Sequence, residues 1–296
     1  MLVVISGGSQ GLGLSLAKEH VKRGHSIVLV SRTESKLQAA VNDLELVHVS
    51  PGHEDQYIKY VSADVSNAKE CDQVFGQIGE IPDIVYCCAG ASRPGMFIDL
   101  SAEDLAQNMQ TVYDTALYFS HAALRVMANS PDKLHKRRQL VYCSSTLAVF
   151  PFIGYSAYAP GKAAIRALSD IVRQECLAHN IRVSHIVPGT MATEGYTVEE
   201  QTKPAITKKI EGPSPPQSPD NCAKYIMKRL DMGDDTVYTD TVTWILGSSM
   251  MGTSPRSGWG ILQSLVGFFF VIFGRIVAWS IDRDILRDAN KQGTEE

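Results

Sequence analysis

Cysteine is sparse and unpatterned. The six residues Cys71, Cys87, Cys88, Cys143, Cys176 and Cys222 show no paired C-x-x-C spacing, so neither a zinc site nor a disulfide framework is expected. Reduced thiols in a cytosol-facing domain fit this usage. An excess of one charge is also lacking. The 28 Lys and Arg against 32 Asp and Glu give a net charge of −4, which supplies no basic surface for a nucleic-acid partner. Leu2 already opens an apolar run, which leaves no room for a charged and then apolar leader before it, so no signal peptide is expected. There is no internal repeat.

What is present is ordinary globular composition, 44% apolar and 20% charged over 296 residues, enough for a full core. Length alone permits one large domain or two small ones, and the pattern favours one. Short apolar runs at Leu2–Ile5, Ser26–Val30, Tyr57–Ser62, Ile84–Cys88, Gln139–Cys143 and Arg182–Val187 predict six strands, with a seventh near Val242–Leu246. Helical patterns fall between them at Gly11–Arg23, Ala102–Ala128 and Ala157–His179. The strands are continuous runs rather than alternating ones, as expected where helices cover both faces of a parallel sheet. The predicted fold is a doubly wound, Rossmann-like α/β sheet in a single catalytic domain, residues 1–250, with its ligand at the carboxyl ends of the strands. His48–Gln56 reads as a polar surface loop. Glu211–Pro219 holds four prolines in nine residues, which excludes regular structure there. It closes an insertion opening near Thr193, so residues 194–219 are expected to cover a substrate.

Ser6-Gly7-Gly8-Ser9-Gln10-Gly11-Leu12-Gly13 lies between the first strand and the first helix. Gly7 permits a sharp turn, Gly11 a close backbone approach to a pyrophosphate, and Gly13 close helix–sheet packing. The helix N-terminus offers free N–H groups to phosphates. Gly7, Ser9, Gln10, Gly11, Leu12 and Gly13 are therefore the candidate dinucleotide cradle. After the second strand stand Ser31 and Arg32 rather than an acidic residue. A guanidinium suits a 2′-phosphate, so NADPH is the expected cofactor; a solvated strand-end arginine is the plainer alternative. Asp64 and Val65, after the third strand, would lie near the adenine, although Asp64 could equally cap the segment at Ser66.

Ser145, Tyr158 and Lys162 are the candidate catalytic set. The i, i+4 spacing puts Tyr158 and Lys162 on one helix face, and Pro160 is tolerated in a first turn. Ketone reduction needs a proton donor for the developing alkoxide. A phenol is protonated at neutral pH, a nearby ammonium stabilises the phenolate left behind, and a serine hydroxyl can polarise the carbonyl. On local grounds Ser144 competes with Ser145.

These motifs together resemble the short-chain dehydrogenase/reductase family over roughly residues 1–195. The resemblance rests on the turn Gly7–Gly13, Cys88-Ala89-Gly90, Ser145, Tyr158, Lys162 and Pro188-Gly189 in that order. It implies that Tyr158 is the acid/base, that Lys162 also holds the nicotinamide ribose, and that Ser145, thirteen residues before the tyrosine, orients the substrate. It further implies that Ala89, Gly90, Pro188, Gly189 and Thr193 contact the cofactor. Two positions depart from the family pattern. Cys87 stands where an Asn is usual. Val112 falls at the register of the family's helical Asn, with Asn108 one turn earlier as the candidate substitute. Ser31–Leu37, Gly154–Tyr158, Ala164–Leu168 and Thr202-Lys203-Pro204 are similar to a subgroup of the family that acts in sphingolipid synthesis. That likeness implies an NADPH-dependent reductase of a long-chain amino ketone, placed at the endoplasmic reticulum membrane and facing the cytosol. A reductase of another lipid ketone (steroid, retinoid or 3-ketoacyl thioester) and a cofactor-binding regulatory protein without activity are the rival readings.

Residues 259–281 are nearly all apolar, interrupted by Gln263, Ser264, Arg275 and Ser280. The clean stretch Leu265–Gly274 is short for a bilayer span, and Arg275 would be costly at mid-depth. Gly260, Gly267 and Gly274 recur every seven residues, a stripe that permits close helix approach. The segment 255–285 is expected to lie on or dip into a membrane, with a subunit interface in a homo-oligomer as the other use.

Overall fold

The computed structural model describes residues 1–296 except 48–54, 134, 214, 251, 253, 255–259 and 293–296. Most of the loop expected at His48–Gln56, and Trp259, lie outside the described residues.

Seven strands form one parallel sheet: β1 (Leu2–Ser6), β2 (Ser26–Ser31), β3 (Ile58–Ser62), β4 (Ile84–Cys87), β5 (Arg138–Cys143), β6 (Ile181–Val187) and β7 (Thr236–Tyr238). Their order is β3-β2-β1-β4-β5-β6-β7, so the winding reverses between β1 and β4, where such sheets open a ligand crevice. The central strands are buried on both faces: β1 is Leu-Val-Val-Ile-Ser with all five residues inside. This is why they read as unbroken apolar runs. One face is covered by α1 (Gly11–Lys22), α2 (Glu34–Leu46) and α9 (Pro219–Asp231), through Leu16, Leu37, Leu44 and Ile226. On the other lie α3 (Ala68–Ile78), α4 (Ala102–Met109), α5 (Thr115–Ala128) and α6 (Ala159–Glu175), through Phe75, Val112, Phe119, Met127 and Ile165.

The structure corrects three expectations. The run Val242–Leu246 is not the seventh strand. It lies in a helix, α10 (Thr241–Ser248), because Asp240 caps it by accepting from the Thr243 N–H at 2.7 Å. Five apolar residues cannot distinguish strand from helix by period, and the capping carboxylate decides. The helix expected over Ala102–Ala128 is interrupted by a π-helical turn, Gln110–Asp114, between α4 and α5. Thr115 Oγ1 has the carbonyls of Thr111 (3.0 Å), Val112 (3.2 Å) and Ala89 (3.3 Å) as alternative acceptors for its one proton, which sets the widened turn against the end of β4. The helix expected from Ala157 begins at Ala159, with Tyr158 as its N-cap, and its last turn is 3₁₀ over Cys176–His179.

The insertion after β6 forms two short helices, α7 (Glu194–Thr202) and α8 (Ala205–Glu211). Gln217 then pairs with Met191 in an isolated bridge. α11 (Gly260–Gln292) is a 33-residue helix, and Gly260–Ala289 is long and apolar enough to cross a membrane. Its apolar side chains cover most of the circumference, with Leu262, Phe268, Phe269, Val271, Ile272, Phe273 and Ile276 all exposed, while Gln263 and Gly267 on the remaining side are buried. Gly267 is pressed against the end of α10, where a Cβ would come within 2.6 Å of the Ser248 carbonyl. One member of the glycine stripe thus serves packing within the chain.

Candidate active site

The carboxyl ends of the strands open into a crevice of about 1020 Å³. The glycine turn forms one end. Gly7 has φ +68°, and a Cβ there would lie 2.7 Å from the Ala89 nitrogen. A Cβ on Gly13 would lie 2.3 Å from the Gly7 carbonyl oxygen. Gly11 has φ +55° and faces Thr193. Only glycine leaves this cradle open, and Gln10 makes no side-chain capping bond to the first turn of α1, so the helix N–H groups are available to a phosphate. Ser9, Gln10, Leu12, Ser31, Arg32, Asp64, Val65, Ala89, Gly90, Pro188, Gly189 and Thr193 all line the same crevice. Asp64 has a second task, since its Oδ1 accepts from the N–H (2.9 Å) and the hydroxyl (2.8 Å) of Ser66.

Thr33 and Lys36 also line this end, and sequence reasoning did not select them. Lys36 Nζ donates to Gln10 Oε1 at 3.0 Å and Glu194 Oε1 at 2.7 Å. Its position four residues beyond Arg32, in the first turn of α2, was the available signal. A main-chain cradle with a guanidinium and an ammonium at its far end fits a dinucleotide carrying a 2′-phosphate.

At the other end, Tyr158 caps α6. Its carbonyl accepts from the Lys162 N–H at 3.2 Å, which fixes the two side chains in one turn. Lys162 is buried, its Nζ donates to the Cys143 carbonyl at 3.0 Å, and it lies 5.6 Å from the centre of the Tyr158 ring. The Ser145 side chain lies close enough to the Tyr158 phenol to pull its pKa down, while its Oγ accepts from the Leu147 N–H at 3.2 Å. Burial pushes the Tyr158 phenol above its ordinary range, outweighing the downward pull of Lys162. The structure separates the two serines. Ser144 Oγ is turned away and donates to the Lys162 carbonyl at 2.9 Å, whereas Ser145 Oγ faces the phenol.

Cys87 is buried in the core beneath the sheet. Cys88 and Cys143 reach the crevice floor, and burial raises the Cys87 thiol pKa. Val112 is fully buried, in the space left by Gly161, where a Cβ would come within 2.9 Å of Val112 Cγ1. Asn108 is buried, its Oδ1 has no hydrogen-bond partner among the described residues, and it is not among the residues lining the crevice. The polar groups this helix does present are Thr111 and Thr115. The substrate end is walled by Phe150, Phe152, Tyr155, Met191, Tyr196, Glu199 and Glu211, none of which sequence reasoning had singled out.

Residues 1–204 match the family described as short chain dehydrogenase, and the chain belongs to that family. Among curated proteins, it is 40% identical to a 3-ketodihydrosphingosine reductase of Debaryomyces hansenii, covering 100% of this chain and 91% of that protein. It is 35% identical to the enzyme of the same name from Saccharomyces cerevisiae, covering 90% and 88%. Solved structures show the same fold. A short-chain dehydrogenase from Sphingobium yanoikuyae in complex with NADPH aligns with TM-score 0.67 at 20% identity, covering 80% of this chain and 87% of that one. One from Vibrio parahaemolyticus aligns with TM-score 0.64 at 25% identity, covering 81% and 100%.

Proposed function

We propose that this protein reduces the ketone of 3-ketodihydrosphingosine to the alcohol, with NADPH as reductant. The observation that carries this is one crevice with two ends: a glycine cradle leading to Arg32 and Lys36, and a Ser145–Tyr158–Lys162 set whose lysine is buried. The substrate class is supported by the likeness to named relatives over the whole chain.

Bound along the cradle, the reduced nicotinamide supplies the hydride. The chain's own residues handle the proton. Ser145 Oγ and the Tyr158 hydroxyl both donate to the substrate carbonyl oxygen, which polarises the carbon for attack. As negative charge develops on that oxygen, Tyr158 gives up its proton to it. Its raised pKa keeps the phenol protonated beforehand. Lys162, anchored by the Cys143 carbonyl, then stabilises the phenolate. Pro188, Gly189 and Thr193 fit the carboxamide end of the nicotinamide, and α7 and α8 cover the substrate.

α11 fits a helix embedded in a bilayer, and together with the likeness to sphingolipid-synthesis reductases it supports a reading in which the crevice lies at the cytosolic face of the endoplasmic reticulum membrane. Its broad exposed apolar surface, interrupted by Arg275, favours immersion over lying at the surface, because a surface helix needs a continuous polar face. The alternative occupant is a second copy of the chain. Co-sedimentation with phosphatidylcholine vesicles, retained by the full chain and lost when residues 260–292 are removed, supports the bilayer; a detergent-stable dimer that ignores vesicles sinks it.

The activity test is direct. The full chain in detergent micelles is expected to convert 3-ketodihydrosphingosine to dihydrosphingosine with stoichiometric NADPH oxidation. Turnover of a steroid, a retinoid or a 3-ketoacyl thioester without turnover of the amino ketone would overturn the assignment.

A further inference from the structure

Glu199 on α7 and Glu211 at the end of α8 both face the crevice. Lys203 lies between them with its side chain only 1% exposed, its Nζ 2.7 Å from Glu211 Oε2 and 3.3 Å from Glu199 Oε1. Glu200 also pairs with Lys203, and with Lys208 at 3.4 Å. The cluster therefore holds three carboxylates and two ammonium groups, one negative charge in surplus. Glu200 and Lys208 are not among the residues lining the crevice, so the surplus falls to Glu199 and Glu211, which share Lys203.

Glu199 is held in a definite pose. The Tyr155 hydroxyl donates to its Oε1 at 2.6 Å, while its Oε2 takes no hydrogen bond among the described residues. The Tyr155 ring is centred 6.4 Å from that of Tyr158, which sets the carboxylate one aromatic ring from the phenol. The charge of Glu199 is felt there, since it contributes to the raised pKa of Tyr158. A neutral lipid ketone has no use for a surplus carboxylate at this distance, and an anionic thioester would be repelled. An ammonium on the carbon next to the ketone would meet it.

We propose that Glu199, positioned by Tyr155 and Lys203 and reinforced by Glu211, receives the ammonium group adjacent to the substrate ketone and so selects amino ketones over neutral lipid ketones. This rests on the substrate reading above.

The test compares 3-ketodihydrosphingosine with the same keto alcohol lacking the amine, in micelles with NADPH. Wild type is expected to prefer the amine by about tenfold or more in kcat/KM, the scale of one charge-assisted hydrogen bond. Glu199→Gln should lose that preference through KM on the amine substrate, while turnover of the amine-free ketone and NADPH binding stay within about twofold of wild type. Glu200→Gln, which also touches Lys203 but lies off the crevice wall, should keep the preference. Equal losses on both substrates in Glu199→Gln would make Glu199 a mere support of α7, and a preference that survives the change would put the ammonium elsewhere; either overturns the inference. Wild type reducing both ketones equally would also sink it and leave the proposed reaction standing. Failure of wild type to turn over the amino ketone at all would remove the substrate reading itself.

Discussion

At the cofactor end of the crevice the surface is largely main chain: Gly7, Gly11 and Gly13 keep side chains out of the way, and positive charge enters at Arg32 and Lys36. At the substrate end the surface is side chain, with Phe150, Phe152 and Tyr155 beside the paired Glu199 and Glu211. Main-chain recognition depends on backbone conformations that few residue types adopt, whereas side-chain recognition depends on packing that brings distant residues together. The first end thus fits any dinucleotide of one charge pattern, and the second is where the proposed choice among ketones would be made.

The sharpest way to test this division is to damage chemistry without touching either recognition surface. Tyr158→Phe removes the proton donor and keeps the ring. Turnover is expected to fall by about 10²- to 10⁴-fold, the usual worth of general acid catalysis, with NADPH affinity unchanged by fluorescence titration. Near-normal turnover would refute the role of the phenol. The pH profile sharpens the same point. Burial raises the pKa of Tyr158, so the acid form persists through neutral pH, and kcat for reduction should stay level there and decline only at alkaline pH, once the phenol ionises. Since Lys162 pulls that pKa down, Lys162→Met should shift the decline to still higher pH. A decline already present below neutral pH would mean that another group titrates.

A smaller effect is expected from the charged tip of the cofactor end. Arg32→Ala should weaken NADPH by about 10- to 100-fold, in line with the loss of a charge-assisted contact, and leave NADH nearly unaffected. Lys36 shares the site and limits the loss. Equal effects on the two nucleotides would show that the guanidinium does not read the 2′ position.

The difference between the two ends also explains what could be read in the sequence. Six strands, and the places of the glycine turn, Arg32 and the Tyr158–Lys162 pair along the crevice, were legible because each obeys a local rule: burial on two faces, positive φ, strand-end position, helical spacing. The seventh strand was misplaced because Thr236–Tyr238 is only three residues long and the more apolar Val242–Leu246 belongs to a capped helix. On local grounds Ser144 and Ser145 were level; the family spacing favoured Ser145, and the hydrogen bond from Ser144 to the Lys162 carbonyl shows that Ser144 is the one that points away. Lys203 lay inside a recognised motif, but its burial between Glu199 and Glu211 depends on how α7 folds back on α8, which no periodicity encodes.

The smallest predicted effect concerns the helix between the two ends. Asn108 was the sequence candidate to stand in for the family's helical Asn, because Val112 occupies that register. In the structure Asn108 is buried with Oδ1 unpartnered among the described residues and lies away from the crevice wall, while the π-helical turn brings Thr111 and Thr115 to it. A π turn adds a residue to the helical repeat and changes which side chains face inward, a distortion often kept at functional sites. Asn108→Leu is therefore expected to change kcat by less than about threefold and, by removing an amide that makes no bond through its oxygen, to leave the melting temperature unchanged or raised. A fall of about 10²-fold in kcat with NADPH binding intact would instead return Asn108 to the proton path. It would also mean that α4 moves toward Lys162 when substrate binds.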